Sequence, residues 1–195
     1  MLEWNAAEAA LVAKQCDSRV ASIVEAGGGR MLRGSTAFED IVKTICTINT
    51  SWQNTQRMVR RLVGLSEVGA FPLPSEIMRL GEDRLRREAS VGYRASTIIA
   101  VARIALECDL EAIELQRLRE VRGLGPYAVD HIAVLRGDYS RIPIDSKVRT
   151  YCAKHLGIAD PDVHSVNEYF SDWGKYRFLG YKFGRIARRL NWIGG

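Results

Sequence analysis

Asp145 is the residue of this chain whose placement most suggests chemistry. It lies two positions after Pro143 and directly ahead of a run, Ser146 to Leu156, with the apolar spacing of a helix. The partial positive charge at a helix N-terminus favours an ionised carboxylate. A carboxylate held there can stabilise positive charge that develops in a transition state, or orient or activate a water. Aspartate before a helix is also the ordinary N-cap, its oxygen accepting a main-chain amide; the two roles can coexist. A second device precedes it. From Leu115 to Lys147 the chain reads LQRLREVRGLGPYAVDHIAVLRGDYSRIPIDSK, and its middle has the form helix, Gly-Leu-Gly hairpin, helix over residues 115–136. Gly123 and Gly125 permit a tight reversal, and Pro126 suits the first helical position, where an amide hydrogen would have no helical acceptor. Leu118, Val121 and Leu124 pair with Val129, Ile132 and Ala133 to pack the two helices together. The result is a cluster of main-chain N–H groups at a helix start with no side chain in the way, which a phosphate can approach. It would grip a polyanion without reading its sequence. Taken bare, the pattern is more often that of a Gly-rich helical turn.

The elements that must position these groups are helical. Apolar residues recur at helical spacing along most of the chain, as in Phe38, Ile41, Val42, Ile45 and Ile48, and alternating strand-like runs are scarce, so the expected class is all-α with about ten short helices. Thr36 with Glu39 forms a capping-box pattern, Pro74-Ser75-Glu76 suits a first turn, and Gly64, Gly137 and Gly157 suit helix ends. Breaks fall at Gly27-Gly28-Gly29, Phe71 to Pro74, Gly92, Gly123 to Pro126, Ile142-Pro143 and Asp160-Pro161. None is long or polar enough for a flexible linker, and no repeat of solenoid period occurs.

At 195 residues with 47% apolar side chains, the chain can bury one good core or two modest ones. Its four cysteines, Cys16, Cys46, Cys108 and Cys152, are far apart and form no CxxC pair, which argues against a zinc site or a disulfide framework. His131, His155 and His164 do not stand at metal-ligand spacing with them. No apolar stretch approaches a membrane span, and the residues after Met1 lack the character of a signal peptide, so a cytoplasmic, nucleoid-associated protein without a membrane partner is expected. The net charge of +5 is unevenly placed: from Arg136 onward there are eleven Lys or Arg against six Asp or Glu, and the earlier part is balanced. The bias favours a polyanion partner. Tyr176 to Trp192 carries much of it, and its spacing reads as an amphipathic helix with a solvated basic face.

Taken with its context, the hairpin segment resembles that of the helix-hairpin-helix (HhH-GPD) DNA glycosylases, a superfamily that includes endonuclease III, AlkA and the 8-oxoguanine glycosylases. The stretch through Ile144-Asp145-Ser146-Lys147 is similar to the family's Gly/Pro-rich loop and aspartate. Three further stretches match in order. Phe38 to Ile45 followed by Asn49-Thr50-Ser51-Trp52 resembles the helix and loop beside the lesion, departing at Ile48, where glutamine is usual. Val91-Gly92-Tyr93-Arg94-Ala95 resembles the loop that pushes into the duplex, and Trp173-Gly174-Lys175-Tyr176-Arg177 the family's C-terminal stretch. The likeness covers the chain from about Ala37 to its end.

The resemblance implies two helical lobes with an active-site cleft between them: residues 1–35 with 146–195 as one, residues 36–145 with the hairpin as the other. It implies a monomeric enzyme that flips a damaged base out of double-stranded DNA and cleaves its bond to the sugar, Asp145 stabilising the sugar cation. Tyr93 would wedge into the duplex and Arg94 would reach the orphaned partner base; on spacing alone they are as well read as a half-buried aromatic and a solvated first-turn residue. Asn49, Gly123, Gly125 and Lys147 would contact DNA, and Trp52 and Tyr127 would line the base pocket, core packing being the competing role for Trp52. Bifunctional members carry a nucleophilic lysine two residues past the second hairpin glycine. Tyr127 stands there, eighteen residues before Asp145, so hydrolysis with little or no strand cleavage is expected, Lys147 being the nearest other amine. An alkylated purine such as 3-methyladenine is the first substrate expected, with an oxidised or mispaired base as the alternative and a hairpin protein that only binds DNA as the alternative of another class. With only Cys152 beyond Asp145, the four-cysteine iron-sulfur cluster of many members has no ligand set. No cofactor is expected beyond a Na+ or K+ ion at the hairpin carbonyls of Arg122 and Leu124.

Overall fold

The computed structural model describes residues 5–28, 31–67 and 69–190. Among these there are eleven α-helices and one 3-10 helix, and no strand. The chain forms two compact units: Gly34–Ile132, here the inner unit, and Met1–Arg33 with Ala133–Gly195, the terminal unit.

The inner unit contains α3 (Ala37–Thr47), α4 (Trp52–Gly64), α5 (Pro74–Arg87), α6 (Arg94–Glu107), α7 (Leu115–Arg119) and the start of α8 (Pro126–Leu135). The helix signals act largely as their chemistry dictates. The Thr36 hydroxyl accepts the Glu39 amide at 3.1 Å, while the Glu39 carboxylate takes the Ser35 amide at 2.8 Å, so the reciprocal bond of the box shifts by one residue. Pro74 opens α5, and the Glu76 carboxylate reaches back to the amides of Leu73 (2.7 Å) and Glu67 (3.1 Å). Ile41, Val42 and Ile45 of α3, Leu62 of α4, Ile77 and Leu85 of α5, and Ile98 and Val101 of α6 are fully buried together. Burial of each such side chain is worth about 1.5–3 kcal/mol.

The terminal unit contains α1 (Ala6–Cys16), α2 (Ser18–Glu25), α9 (Ser146–His155), α10 (Val163–Tyr169), a 3-10 helix (Ser171–Tyr176) and α11 (Arg177–Arg189). Its core joins Ala13, Val20 and Ile23 to Val148 and Cys152 of α9 and to Leu179 and Phe183 of α11. Glu8 on α1 accepts the Tyr176 hydroxyl at 2.9 Å and pairs with Lys175 at 2.8 Å, tying the first helix to the 3-10 helix. Of the terminal stretch read from the sequence, Trp192 lies outside the described residues. No helix among the described residues is long and apolar enough to cross a membrane.

The second unit boundary differs from the sequence expectation of 145/146: it falls inside α8, between Ile132 and Ala133. The cause is apolar. Val134, Tyr139 and Ile142 are buried in the core of the terminal unit, and the Phe178 amide donates to the Tyr139 carbonyl at 2.9 Å. Asp145 therefore belongs to the terminal unit, not with the hairpin.

The solvated face expected of the last helix is also narrower than its composition suggests. Gly180 and Gly184 turn α11 toward large aromatics: a Cβ at Gly180 would lie 2.6 Å from the Trp173 ring, and one at Gly184 2.7 Å from the Tyr151 hydroxyl oxygen. Ala in place of Gly inside a helix is favourable by roughly 0.8–1.0 kcal/mol, but overlap with a buried ring outweighs it. Gly180→Ala is expected to lower unfolding free energy by about 1–2 kcal/mol net, read as a lower urea midpoint at unchanged m-value.

Candidate functional site

The hairpin is built from main-chain bonds and one side-chain clamp. The Leu124 amide donates to the Val121 carbonyl at 3.0 Å, and the Val129 amide to the Gly125 carbonyl at 3.2 Å, which makes Pro126 the first residue of α8. Gly123 has φ +99°, a conformation that only glycine adopts readily. A Cβ on it would sit 2.3 Å from Thr97 Oγ1, because the Thr97 hydroxyl, on α6, donates to the Arg122 carbonyl at 2.9 Å. Gly125 is exposed, and a Cβ there would meet nothing within 4 Å. The two glycines thus have separate causes: Gly123 closes the turn against α6, and Gly125 leaves the head of α8 open. The amides of a helix's first turn point out of its N-terminus and favour an anion. Arg119 of α7 and Asp130 of α8 pair at 4.0 Å across the hairpin. Tyr127, half-buried, stacks on His131 one turn along, centroids 5.9 Å apart and planes 13° apart.

The α5–α6 loop turns at Gly92, φ +60°, and presents Tyr93 with 59% of its surface exposed. Arg94 behaves otherwise than expected. It is 8% exposed, and its guanidinium donates to the carbonyls of Ile48, of Asn49 (3.4 Å) and of Val91 (3.4 Å), with its carbon 4.5 Å from the Tyr93 ring centroid. The reading of Arg94 as a solvated first-turn residue is therefore corrected: three main-chain carbonyls hold it in the protein. Its target is the α3–α4 loop. There Asn49 adopts φ +47°, and its exposed side chain is presented by a backbone whose carbonyl Arg94 secures. Trp52 follows at the first position of α4, behind a Ser51 cap, and is 66% exposed, so it is not a core residue. Cys46 beneath is buried, which pushes its thiol up to about 12 against the opposing pull of Arg94, and it is inert as a nucleophile.

Thr97 is the residue that sequence reasoning missed in this unit. Its signal was available: it lies three positions after Arg94, on the same face of α6. One helical turn thus holds the Asn49 loop through Arg94 and the hairpin through Thr97.

In the terminal unit, Asp145 has extended backbone and caps α9, with Oδ1 accepting the Val148 amide at 2.8 Å. The carboxylate is half-buried. Lys147 is exposed on the first turn of the same helix. Tyr181 of α11 is buried, which raises its hydroxyl pKa; Arg185, whose guanidinium donates to that hydroxyl at 3.1 Å, lowers it, and the charge of Asp145 adds a smaller upward push. Lys182, read from sequence as part of a solvated face, is half-buried, and that burial, with Arg185 nearby, lowers its amine below the ordinary lysine value.

Among the described residues no group of three His, Cys, Asp or Glu side chains is arranged to hold a metal. Cys152 is buried, its thiol pushed up to about 11. At the hairpin, the Arg122 carbonyl receives the Thr97 hydroxyl and retains its second lone pair. Carbonyl oxygens of that kind are hard donors suited to a group 1 or group 2 cation.

No protein-family model matches the sequence, and no curated protein matches it. In three dimensions the chain resembles several solved structures. The Clostridium acetobutylicum 8-oxoguanine glycosylase/lyase in its apo form matches with a TM-score of 0.74 and 20% identity, over 92% of this chain and 70% of that one. The Schizosaccharomyces pombe 3-methyladenine DNA glycosylase, solved in complex with abasic DNA, matches with a TM-score of 0.74 and 15% identity, over 96% of this chain and all of that one. The 3-methyladenine DNA glycosylase of Archaeoglobus fulgidus matches at 0.70 and 18%, over 92% and 70%. The chain has the all-helical fold of these DNA glycosylases.

The two hairpin glycines should respond differently to a methyl group. Gly123→Ala meets left-handed strain of about 1–2 kcal/mol and the Thr97 hydroxyl as well, for a total loss of roughly 2–4 kcal/mol. Gly125→Ala should stay within about 0.5 kcal/mol of the parent. Chemical denaturation of the pair checks this, and equal losses would contradict the distinct environments.

Proposed function

We propose that this protein is a DNA base-excision N-glycosylase that hydrolyses the bond between a flipped, damaged base and its deoxyribose. The observation that carries the proposal is Asp145: a half-buried carboxylate tied to the head of α9 by one oxygen, in a chain with the fold of known DNA glycosylases. Departure of the base takes the bonding electron pair from the anomeric carbon and leaves positive charge on the sugar. A fixed anion stabilises that charge without reorganising. The Val148 amide engages Oδ1 and sets the orientation of the carboxylate, so Oδ2 is the oxygen that would face the sugar or a water. Water then adds to the anomeric carbon and loses its proton.

The other groups would serve binding. The head of α8, open at Gly125, would receive a backbone phosphate, and Lys147 another. The carbonyls of Arg122 and Leu124 would hold a Na+ or K+ ion, adding positive charge beside the DNA backbone. Tyr93 would fill the gap in the base stack left by extrusion. Trp52 offers an exposed aromatic face, and Tyr127 the ring stacked on His131. An electron-poor or cationic base gains most from such faces, which favours an alkylated purine such as 3-methyladenine. An oxidised purine is the second reading, favoured by the Gly92-Tyr93-Arg94-Ala95 loop with its exposed Tyr93. Tyr127 supplies no amine, so the reaction would stop at the abasic site.

Asp145→Asn keeps a capping oxygen and removes the charge. It is expected to lower single-turnover excision by about 10²–10³-fold while affinity for abasic duplex is retained; a variant that excises as fast as the parent would remove Asp145 from the chemistry, and a parent that binds the duplexes but excises no lesion would leave only the reading of a DNA-binding module. The assay is a panel of duplexes carrying 3-methyladenine, 8-oxoguanine, uracil, hypoxanthine or adenine opposite 8-oxoguanine, scored with and without alkali.

Tyr127→Lys places an amine at the hairpin. Borohydride should then trap a covalent adduct with a lesion-bearing duplex, whereas the parent should give none. Trapping by the parent would overturn hydrolysis without lyase action and would point to Lys147 or Lys182.

A further inference from the structure

The terminal unit carries a groove of about 500 Å³ lined from α9 and α11 by Lys147, Lys154, His155, Arg185, Arg188 and Arg189, among others, with no Asp or Glu among the described residues of its wall. We propose that this groove binds the phosphodiester backbone of the DNA strand flanking the excised base, a contact separate from the hairpin and resting on the glycosylase reading above.

Four observations support it. The first is position: the groove begins at Ser146, the residue after Asp145, so a strand whose sugar meets the carboxylate continues along it. The second is length. Lys147 and Lys154 are seven residues apart on α9, about 10 Å at 1.5 Å per residue, long enough to meet more than one phosphate of a strand. The third is construction. Tyr151, buried at the groove floor, is hydrogen-bonded by Arg188, and Gly184 lacks the side chain that would displace its hydroxyl. Arg185 is braced on the Tyr181 hydroxyl. The phenol that braces Arg185 is neutral, so this anchoring takes nothing from the guanidinium's charge. The fourth is the local field: burial, then Arg188 and Lys154, lower the pKa of His155, as expected where cations converge on one imidazole.

A small anion would need only one or two of these groups. Cations on both walls over such a span fit a chain of phosphates.

The test uses the whole protein and a lesion-bearing duplex with fluorescence-detected binding between 50 and 300 mM salt. Lys154→Gln with Arg189→Gln removes two exposed cations of the groove, and Lys14→Gln with Arg86→Gln removes two from α1 and α5 as a control for net charge. Each lost phosphate contact should reduce the slope of log K against log salt by about 0.9. The groove variant is therefore expected to show a slope shallower by about 2 and roughly tenfold or greater weakening near 0.1 M salt, with the control close to the parent. Shortening the duplex flank on one side of the lesion should weaken the parent but leave the groove variant little changed. On saturation with the duplex, the His155 imidazole, followed by NMR, should titrate at higher pH than in the free protein. Parent and groove variant with the same slope and the same dependence on flank length would overturn the groove while leaving the glycosylase reading intact. A parent that binds no duplex would instead remove the reading on which the groove rests.

Discussion

The first turn of α6 is the constraint on which the inner unit's candidate site depends. Arg94 places a buried guanidinium against the carbonyls of the α3–α4 loop, and Thr97, one turn later, anchors the Arg122 carbonyl in the hairpin. Hydrogen bonds from a charged donor contribute roughly 1.5–3 kcal/mol, and a buried carbonyl that loses its donor forfeits a comparable amount. Two loops far apart in sequence are thus referenced to one rigid helix. Tyr93, immediately before that turn, is exposed at an angle set by the same backbone, and its ring rests against the Arg94 guanidinium. An aromatic held in this way loses less on ordering against a partner than a mobile one would.

The same arrangement explains why the burial of Arg94 was not legible in its sequence context. Arginine after Tyr at a helix start is solvated in most proteins, and nothing in its immediate neighbours marks it as internal. Its partners are carbonyls contributed by Ile48 and Asn49, some 45 residues earlier, and main-chain oxygens carry no residue-type signal. Legible features were those whose cause is local: Pro126 opening α8, Thr36 capping α3, Glu76 reaching back over the first turn of α5, Asp145 capping α9. The boundary within α8 was not legible for the opposite reason. Ile132 and Val134 are both apolar residues of one continuous helix, and which core each enters is decided by the packing around them.

The glycines show how one residue type serves unlike purposes. Gly123 is required by φ and by Thr97, Gly125 by neither, and Gly180 and Gly184 by aromatic rings pressed against a regular helix. The hairpin pair could be read from sequence because Gly-Leu-Gly-Pro between helices has few uses. The α11 pair could not, since a helical glycine with an absent side chain looks like a weakness in propensity until the ring that fills the space is seen.

Charge placement gives the terminal unit its character. A net charge of +5 over 195 residues is modest, and at physiological ionic strength distant charges are screened within about 8 Å. What a polyanion meets is local: a groove with cations on both walls, Arg185 braced by the Tyr181 hydroxyl and Arg188 hydrogen-bonded to that of Tyr151. Elsewhere in the chain several arginines pair with acids, as Arg84 does with Glu88, Arg86 with Glu82 and Arg117 with Glu107. Such pairing neutralises a surface and contributes little to stability. The α9–α11 groove gathers six basic side chains next to a helix that begins with a carboxylate. A half-buried carboxylate whose Oδ1 is fixed by the Val148 amide can oppose a positive charge brought within reach without reorganising.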